Sequence, residues 1–333
     1  MFNKQDGIYI KEGDNEIFIP SFDNRFQFIK QNILIQTKQN DIKQLIKNIL
    51  ITKRWQKYKN LEKIIDEIFN YIVVYIKNDN DLNKCLNTLK QLVENKNNLN
   101  FSKLLKYETF NLCDKLNETN FFKNKDLLEK IFKIKDTTIG EGEILLTMLS
   151  NCHKGKIVDL FLNNTITKSY KQIEVKSKDG RIGNEHNVRK FLDKLKQNDK
   201  LFNILNTDSD TIIFNKILKN ISNISINEQV NILYNIRTEK NSILKDYFTE
   251  QIKSILEEID NIDYSKLMLA IQIYSYCSNM KADYIIFLDN LNLLIIQSNC
   301  LWGIYEQLLN YKIKIVYNIS DRKGFSVTYH ADK

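Results

Sequence analysis

The sequence predicts an α/β protein, a mixed sheet flanked by helices, with a mainly α-helical N-terminal region and a helical insertion. Three observations carry this. Residues 134–187 contain two β-like segments, Lys156 to Phe161 and Tyr170 to Lys176, and the second alternates polar and apolar residues with period two. Residues 264–333 read as helix, two strands, helix and further strands, a pattern that suits a sheet sandwiched by helices. Residues 1–133 and 188–263 instead repeat apolar side chains every three or four positions, the spacing of amphipathic helices packing a core.

In order along the chain, Ile8-Tyr9-Ile10 and Ile17-Phe18-Ile19 flank Glu12-Gly13-Asp14-Asn15 and predict an N-terminal hairpin that Pro20 ends. Helical periodicity begins after Asp23 (Phe26, Ile29, Ile33, then Ile42, Leu45, Ile46, Ile49) and continues in a long run over about Gln56 to Lys77. Asn78-Asp79-Asn80-Asp81 breaks the pattern and supplies an N-cap for a helix from Leu82 to Val93. Two more helices are expected near Phe101 to Leu116 and Asn124 to Phe132. A glycine turn, Ile139-Gly140-Glu141-Gly142, then opens the apolar run Ile144 to Leu149. After the two β-like segments and a second glycine turn, Asp179-Gly180-Arg181-Ile182-Gly183, residues 188–263 show no strand signal. The last part holds a helix (Leu267 to Asn279), a strand (Asp283 to Leu288) and an apolar segment (Leu291 to Gln297). A helix (Leu301 to Asn310) and strands at Ile313 to Tyr317 and Phe325 to Tyr329 complete it.

Composition bounds the function classes. The 333 residues give room for two domains, and 43% hydrophobic residues is ordinary for a globular protein. A net charge of +8 permits contacts with nucleic-acid phosphates, although lysine on helical surfaces is by default a solvated face. Five widely spaced cysteines lack zinc-ligand spacing and read as reduced thiols. Met1 to Gly7 has no apolar core, and the most apolar run, Ile64 to Ile76, is interrupted by Asp66, Glu67 and Asn70. A membrane span is therefore not expected, and the expected place is the cytoplasm.

The chemistry concentrates in residues 140–183. Period two puts Gln172, Glu174 and Lys176 on one face of their strand and Lys171, Ile173 and Val175 on the other. Asp159 interrupts an otherwise apolar strand, where an unpaired carboxylate is costly. Two carboxylates and a lysine converging from paired strands suit Mg²⁺ or Mn²⁺, which prefer hard oxygen ligands, and suit phosphodiester hydrolysis. Glu94-Asn95-Lys96 has the same Glu-x-Lys spacing at the polar end of a helix, so the spacing alone is uninformative.

Asp159 followed by Glu174-Val175-Lys176 resembles the core of the PD-(D/E)xK nucleases, the fold of many restriction enzymes and phage nucleases. Gly140-Glu141-Gly142-Glu143 looks like the glycine–glutamate helix of that core. Gln272-Ile273-Tyr274-Ser275-Tyr276 is similar to the Gln-x-x-x-Tyr helix of its exonuclease-like members. Val158 stands where the motif's proline would be. The resemblance implies a restriction-endonuclease-like fold and a Mg²⁺- or Mn²⁺-dependent nuclease acting on DNA. By it, Asp159, Glu174 and the Val175 carbonyl hold the metal, and Lys176, Glu143, Gln272 and Tyr276 serve catalysis. Lys154, Lys156, Lys178, Arg181 and Arg189 flank the site as candidate nucleic-acid contacts. It also implies a phage-encoded origin, with host cytoplasm or virion as the place and a homodimer or a phage particle as the assembly. His153 and His186, near the site, are weaker candidates for an auxiliary base, and Asp321-Arg322-Lys323 is a rival acid-x-lysine set. Two alternatives stand beside this reading. One is a non-catalytic DNA-binding or structural protein with a nuclease-like fold; the other is a helical interaction module whose charged strand residues lie on the surface.

Overall fold

The computed structural model describes the chain except residues 1–6, 13–14, 21–23, 97, 107–108, 165–168, 178–179, 181, 184, 199–201, 206, 238–244, 312, 321–323 and 332–333. The chain opens with β1 (Gly7–Glu12) and β2 (Asn15–Pro20), an antiparallel hairpin in register from Gly7 opposite Pro20. Six helices and one short strand follow: α1 (Asn24–Thr52), α2 (Leu61–Val74), α3 (Asp79–Val93), α4 (Phe101–Leu104), β3 (Thr109–Asn111), α5 (Lys125–Phe132) and α6 (Glu143–Leu149). Then come β4 (His153–Lys154), β5 (Leu160–Asn164) and β6 (Ser169–Ser177), and the helices α7 (Glu185–Asn198), α8 (Asp210–Asn220), α9 (Ile226–Ile236), α10 (Lys245–Glu258) and α11 (Tyr264–Met280). The chain finishes with β7 (Tyr284–Asp289), β8 (Asn292–Gln297), α12 (Leu301–Leu309), β9 (Ile313–Ser320) and β10 (Gly324–Ala331).

The main sheet has six strands in the order β3-β8-β7-β6-β5-β4, and its pairs are antiparallel except β6 with β7. A parallel pair needs a long crossover, and the helices α7 to α11 form it. Period two then sorts the side chains. Leu160, Leu162, Ile173, Val175, Ile286, Leu288, Leu293 and Ile295 face one core, shared with α1 to α6. Ile285, Phe287, Leu294 and Ile296 face another, shared with α7 to α12. The protein is thus an α/β sandwich of helices, sheet and helices. Its central strand β7 is buried on both faces along Ile285 to Leu288, as expected of a strand paired on both sides between helical layers.

Several expectations need correction. Phe101 to Leu116 is not one helix: α4 stops after a turn, and Phe110 instead pairs with Leu293 at the sheet edge. A three-residue edge strand is too short to show a period. The long run expected over Gln56 to Lys77 begins at Leu61, because α1 ends in a tight turn at Lys53–Trp55. The first β-like segment starts later than expected, at Leu160. The Gly155 N–H donates to the Asp159 carbonyl at 3.1 Å and closes a turn, which leaves Asp159 in the bend ahead of β5. β9 and β10 form their own two-stranded sheet and do not extend the main one. The Asn78 cap is present, its Oδ1 accepting the Asp81 N–H at 2.9 Å. Among the described residues, no helix is long and apolar enough to cross a membrane.

Candidate active site

The alternation of β6 turns Glu174 and Lys176 toward the second core, beside Ile285 and Phe287 of the parallel neighbour. α11 crosses the same face and brings Tyr276 down onto them. Lys176 Nζ lies 3.1 Å from Glu174 Oε2, and the Tyr276 hydroxyl donates to the same oxygen at 3.2 Å. The Lys176 ammonium also sits 4.8 Å from the centre of the Tyr276 ring, within cation–π range. Extending the β5–β6 register by one residue places Asp159 opposite Glu174. Asp159 Oδ2 accepts the Val175 N–H at 2.9 Å, so Val175 contributes its backbone to the site while its side chain lies in the first core.

Glu143 approaches from the start of α6. It is 3% exposed; Oε1 accepts the Gly140 N–H at 2.6 Å, and Oε2 pairs with Lys154. Lys154 in turn lies 5.3 Å from the Trp55 ring centre, and Trp55 Nε1 donates to Thr147 Oγ1 at 3.2 Å. The end of α1, the end of β4 and the helix α6 are therefore fixed to one another around Glu143.

The electrostatics follow from crowding carboxylates in a poorly solvated place. Burial raises the Glu174 pKa, Lys176 pulls it back, and Asp159 raises it again, leaving it at about 7. Burial, and then Asp159, likewise raise Glu143 against the opposing pull of Lys154. For Lys176 burial acts downward, but the Glu174 charge outweighs it and holds the ammonium above its ordinary pKa. Lys176 is therefore charged throughout the range in which Glu174 titrates. Burial also pushes the Tyr276 phenol up to about 12, so it remains a donor.

A stability prediction follows from Glu174. Its folded pKa is raised above the ordinary 4.5, so the folded state holds the proton more tightly than the unfolded chain. Stability should fall as pH rises from 4.5 to about 7, by on the order of 3 kcal/mol, and level off above. Urea melts across this range should show the slope, and Glu174→Gln should flatten it.

The remaining sequence candidates are distributed differently. Gln272 is fully buried, and its described hydrogen bonds run to the Ile236 carbonyl at 3.3 Å and to Met268 Sδ at 3.0 Å, tying α11 to α9. Lys154 is drawn inward by Glu143, whereas Lys156 is exposed on the turn before Asp159. Arg189 is half-buried, with Nε 3.8 Å from Asp210 Oδ2 between α7 and α8. His153 Nδ1 faces the Thr52 carbonyl at 3.2 Å, and burial lowers its pKa. Lys178, Arg181, Asp321-Arg322-Lys323 and the side chain of His186 lie outside the described residues.

Sequence reasoning missed the turn at Lys53–Trp55. Lys53 is 1% exposed, donates to Asn95 Oδ1 at 2.9 Å, and is lowered by burial to a pKa of about 8. Nothing in a lysine-rich helix end marks it. It also missed Asp283, whose carboxylate accepts the Gln172 N–H at 2.8 Å and so fixes the start of β7 against β6. Among the described residues, no three His, Cys, Asp or Glu side chains form a ready-made metal cage. The donors nearest to one are hard oxygens, held at present by Lys176, Tyr276 and the Val175 N–H. The chain matches no family model, no curated protein and no solved structure.

Proposed function

We propose that this chain is a metal-dependent nuclease of PD-(D/E)xK type, with a restriction-endonuclease-like sheet, that hydrolyses phosphodiesters of DNA. The observation that carries the reading is the meeting of Asp159, in the bend ahead of β5, with Glu174 and Lys176 on one face of β6. Tyr276 and Glu143 approach from two helices. Asp159 raises the pKa of buried Glu174 and Glu143, and carboxylates crowded in a buried place attract a compensating cation. The helical-module alternative needs these side chains on the surface, whereas Glu174 is 2% exposed.

Asp159 and Glu174 would hold Mg²⁺ or Mn²⁺, with the Val175 carbonyl as a third oxygen. When bound, the ion would supply a water of lowered pKa and offset charge on the phosphate. Lys176 places a fixed positive charge beside that position, where negative charge grows on the phosphate. Tyr276 keeps the Glu174 carboxylate oriented by donating to Oε2, and Glu143 is positioned to assist from α6. Because Glu174 must be ionised to hold a cation, activity should rise with pH through about 7 and level off above it.

One observation favours a second reading, a non-catalytic DNA-binding or structural protein: both glutamates are already satisfied by lysines of the chain. The deciding assay uses plasmid and linear DNA with Mg²⁺, Mn²⁺ or EDTA. Cutting that needs the metal is expected. Intact DNA under every metal, with no Mg²⁺ binding by calorimetry, would transfer the assignment to the second reading.

A further inference from the structure

The sheet face that carries Glu174 and Lys176 continues past α11 onto an aromatic surface. Tyr170, Gln172, Glu174 and Lys176 share this face by alternation, and Phe161 joins it opposite Gln172. Phe161 and Tyr170 pack ring to ring, with centroids 5.5 Å apart and planes inclined at 36°. Tyr170 is 56% exposed, so one side of the pair faces solvent. The Arg54 guanidinium covers the Phe161 ring at 4.8 Å from its centre. At one strand spacing per residue, Tyr170 lies about 13 Å along β6 from Glu174.

Arg54 is in an unusual place. The end of α1 is closed by two bonds, Arg54 N–H to the Ile51 carbonyl at 3.0 Å and Trp55 N–H to the Leu50 carbonyl at 3.0 Å. This is a Schellman termination, in which the residue at the Arg54 position is left-handed and is most often glycine. Arg54 adopts φ 71°, a conformation that a side chain disfavours. The turn would form at lower cost without the arginine, so the closing of α1 does not account for its side chain. The aromatic pair it covers, extending the site's own face, does.

We propose that Arg54, Phe161 and Tyr170 form a stacking platform for unpaired bases of a single-stranded nucleic acid, leading its backbone toward Glu174 and Lys176. The proposal deepens the nuclease reading and rests on it for the direction of the strand. Aromatic faces bind bases of any sequence, and the cation of Arg54 adds phosphate attraction and stacking. Exposed Lys156, on the turn between β4 and β5, extends the positive charge beside Asp159.

The test is a fluorescence titration of the full chain in EDTA, with 20-nucleotide single-stranded DNA or RNA containing 2-aminopurine and with a blunt duplex of equal length. Wild type should bind a single strand more tightly than the duplex and quench the probe; the tighter of DNA and RNA identifies the sugar preferred. Tyr170→Ala should weaken binding by about 5- to 150-fold and abolish the quench, and Tyr170→Phe should retain both. Arg54→Gly should melt at the same or a higher temperature and yet bind more weakly, with a shallower salt dependence. Binding of Tyr170→Ala and Arg54→Gly within twofold of wild type, preference for the duplex, or no binding of any strand would overturn the platform. The DNA-cutting assay separates the two ideas. A chain that cuts but is indifferent to Tyr170 loses only the platform; one that quenches but never cuts loses only the nuclease assignment.

Discussion

Lys176→Ala should lower metal-dependent cleavage by about 10²- to 10³-fold, the loss usual when one preorganised charge is withdrawn from a developing anion. The reasoning starts from the ion pair. Lys176 is held 3.1 Å from Glu174 and over the Tyr276 ring, so its ammonium is placed before any substrate arrives. Removing it leaves Glu174 buried with Tyr276 as its donor among the described residues, and the carboxyl will then hold its proton to a higher pH than now. Two losses therefore combine, the missing positive charge and a weaker metal ligand. Lys176→Arg should recover little, because a planar fork does not fit a site built around a point charge. Circular dichroism and a melt would confirm that the variant folds. Cleavage by folded Lys176→Ala within tenfold of wild type would remove Lys176 from the chemistry.

Gly142→Ala should destabilise the protein by about 2–4 kcal/mol, with a matching drop in the midpoint of a denaturant melt. Gly142 caps α6 with φ 83°, in the left-handed region. A Cβ there would collide with Leu288 Cδ1 of β7 and stand 2.9 Å from Phe132 Cε2 of α5. Both neighbours are buried in the first core, where close packing resists displacement. The strain should also reach the site, since Glu143 begins α6 at the next residue and anchors on Gly140. A variant as stable as wild type would mean that the turn can relax without disturbing the sheet.

The parts of the fold legible in the sequence are those whose cause is local. β6 was readable because a strand with one buried and one polar face repeats every second residue, and the same repeat placed Glu174 and Lys176 together. The start of α3 was readable because Asn78 bonds a backbone N–H three residues on. Failures arose where partners are remote. β3 exists because Phe110 meets Leu293, and no pattern within 101–116 distinguishes it from a helix. The apolar neighbours of Asp159 predict a strand there, while the Gly155 turn holds it just outside. Of the basic residues near the site, nothing in their spacing announced that Lys154 would be engaged by Glu143 or that Arg54 would lie over Phe161.

The edge strand β3 has a consequence for how the protein is made. Asn111 donates to Asn292 at 2.8 Å across a sequence separation of 181 residues. At about 5–20 residues per second, a ribosome needs roughly 9–36 s to reach the partner after making β3. Once Leu149 has been made, within that interval, the helices α1 to α6 are complete, while the sheet face that covers them lacks β7 and β8. Nascent chains therefore carry an open apolar face until β7 and β8 have been made. Chains released before Gln297 should be captured by chaperones or degraded, because the two helical layers can close on one sheet only after β8 has been made.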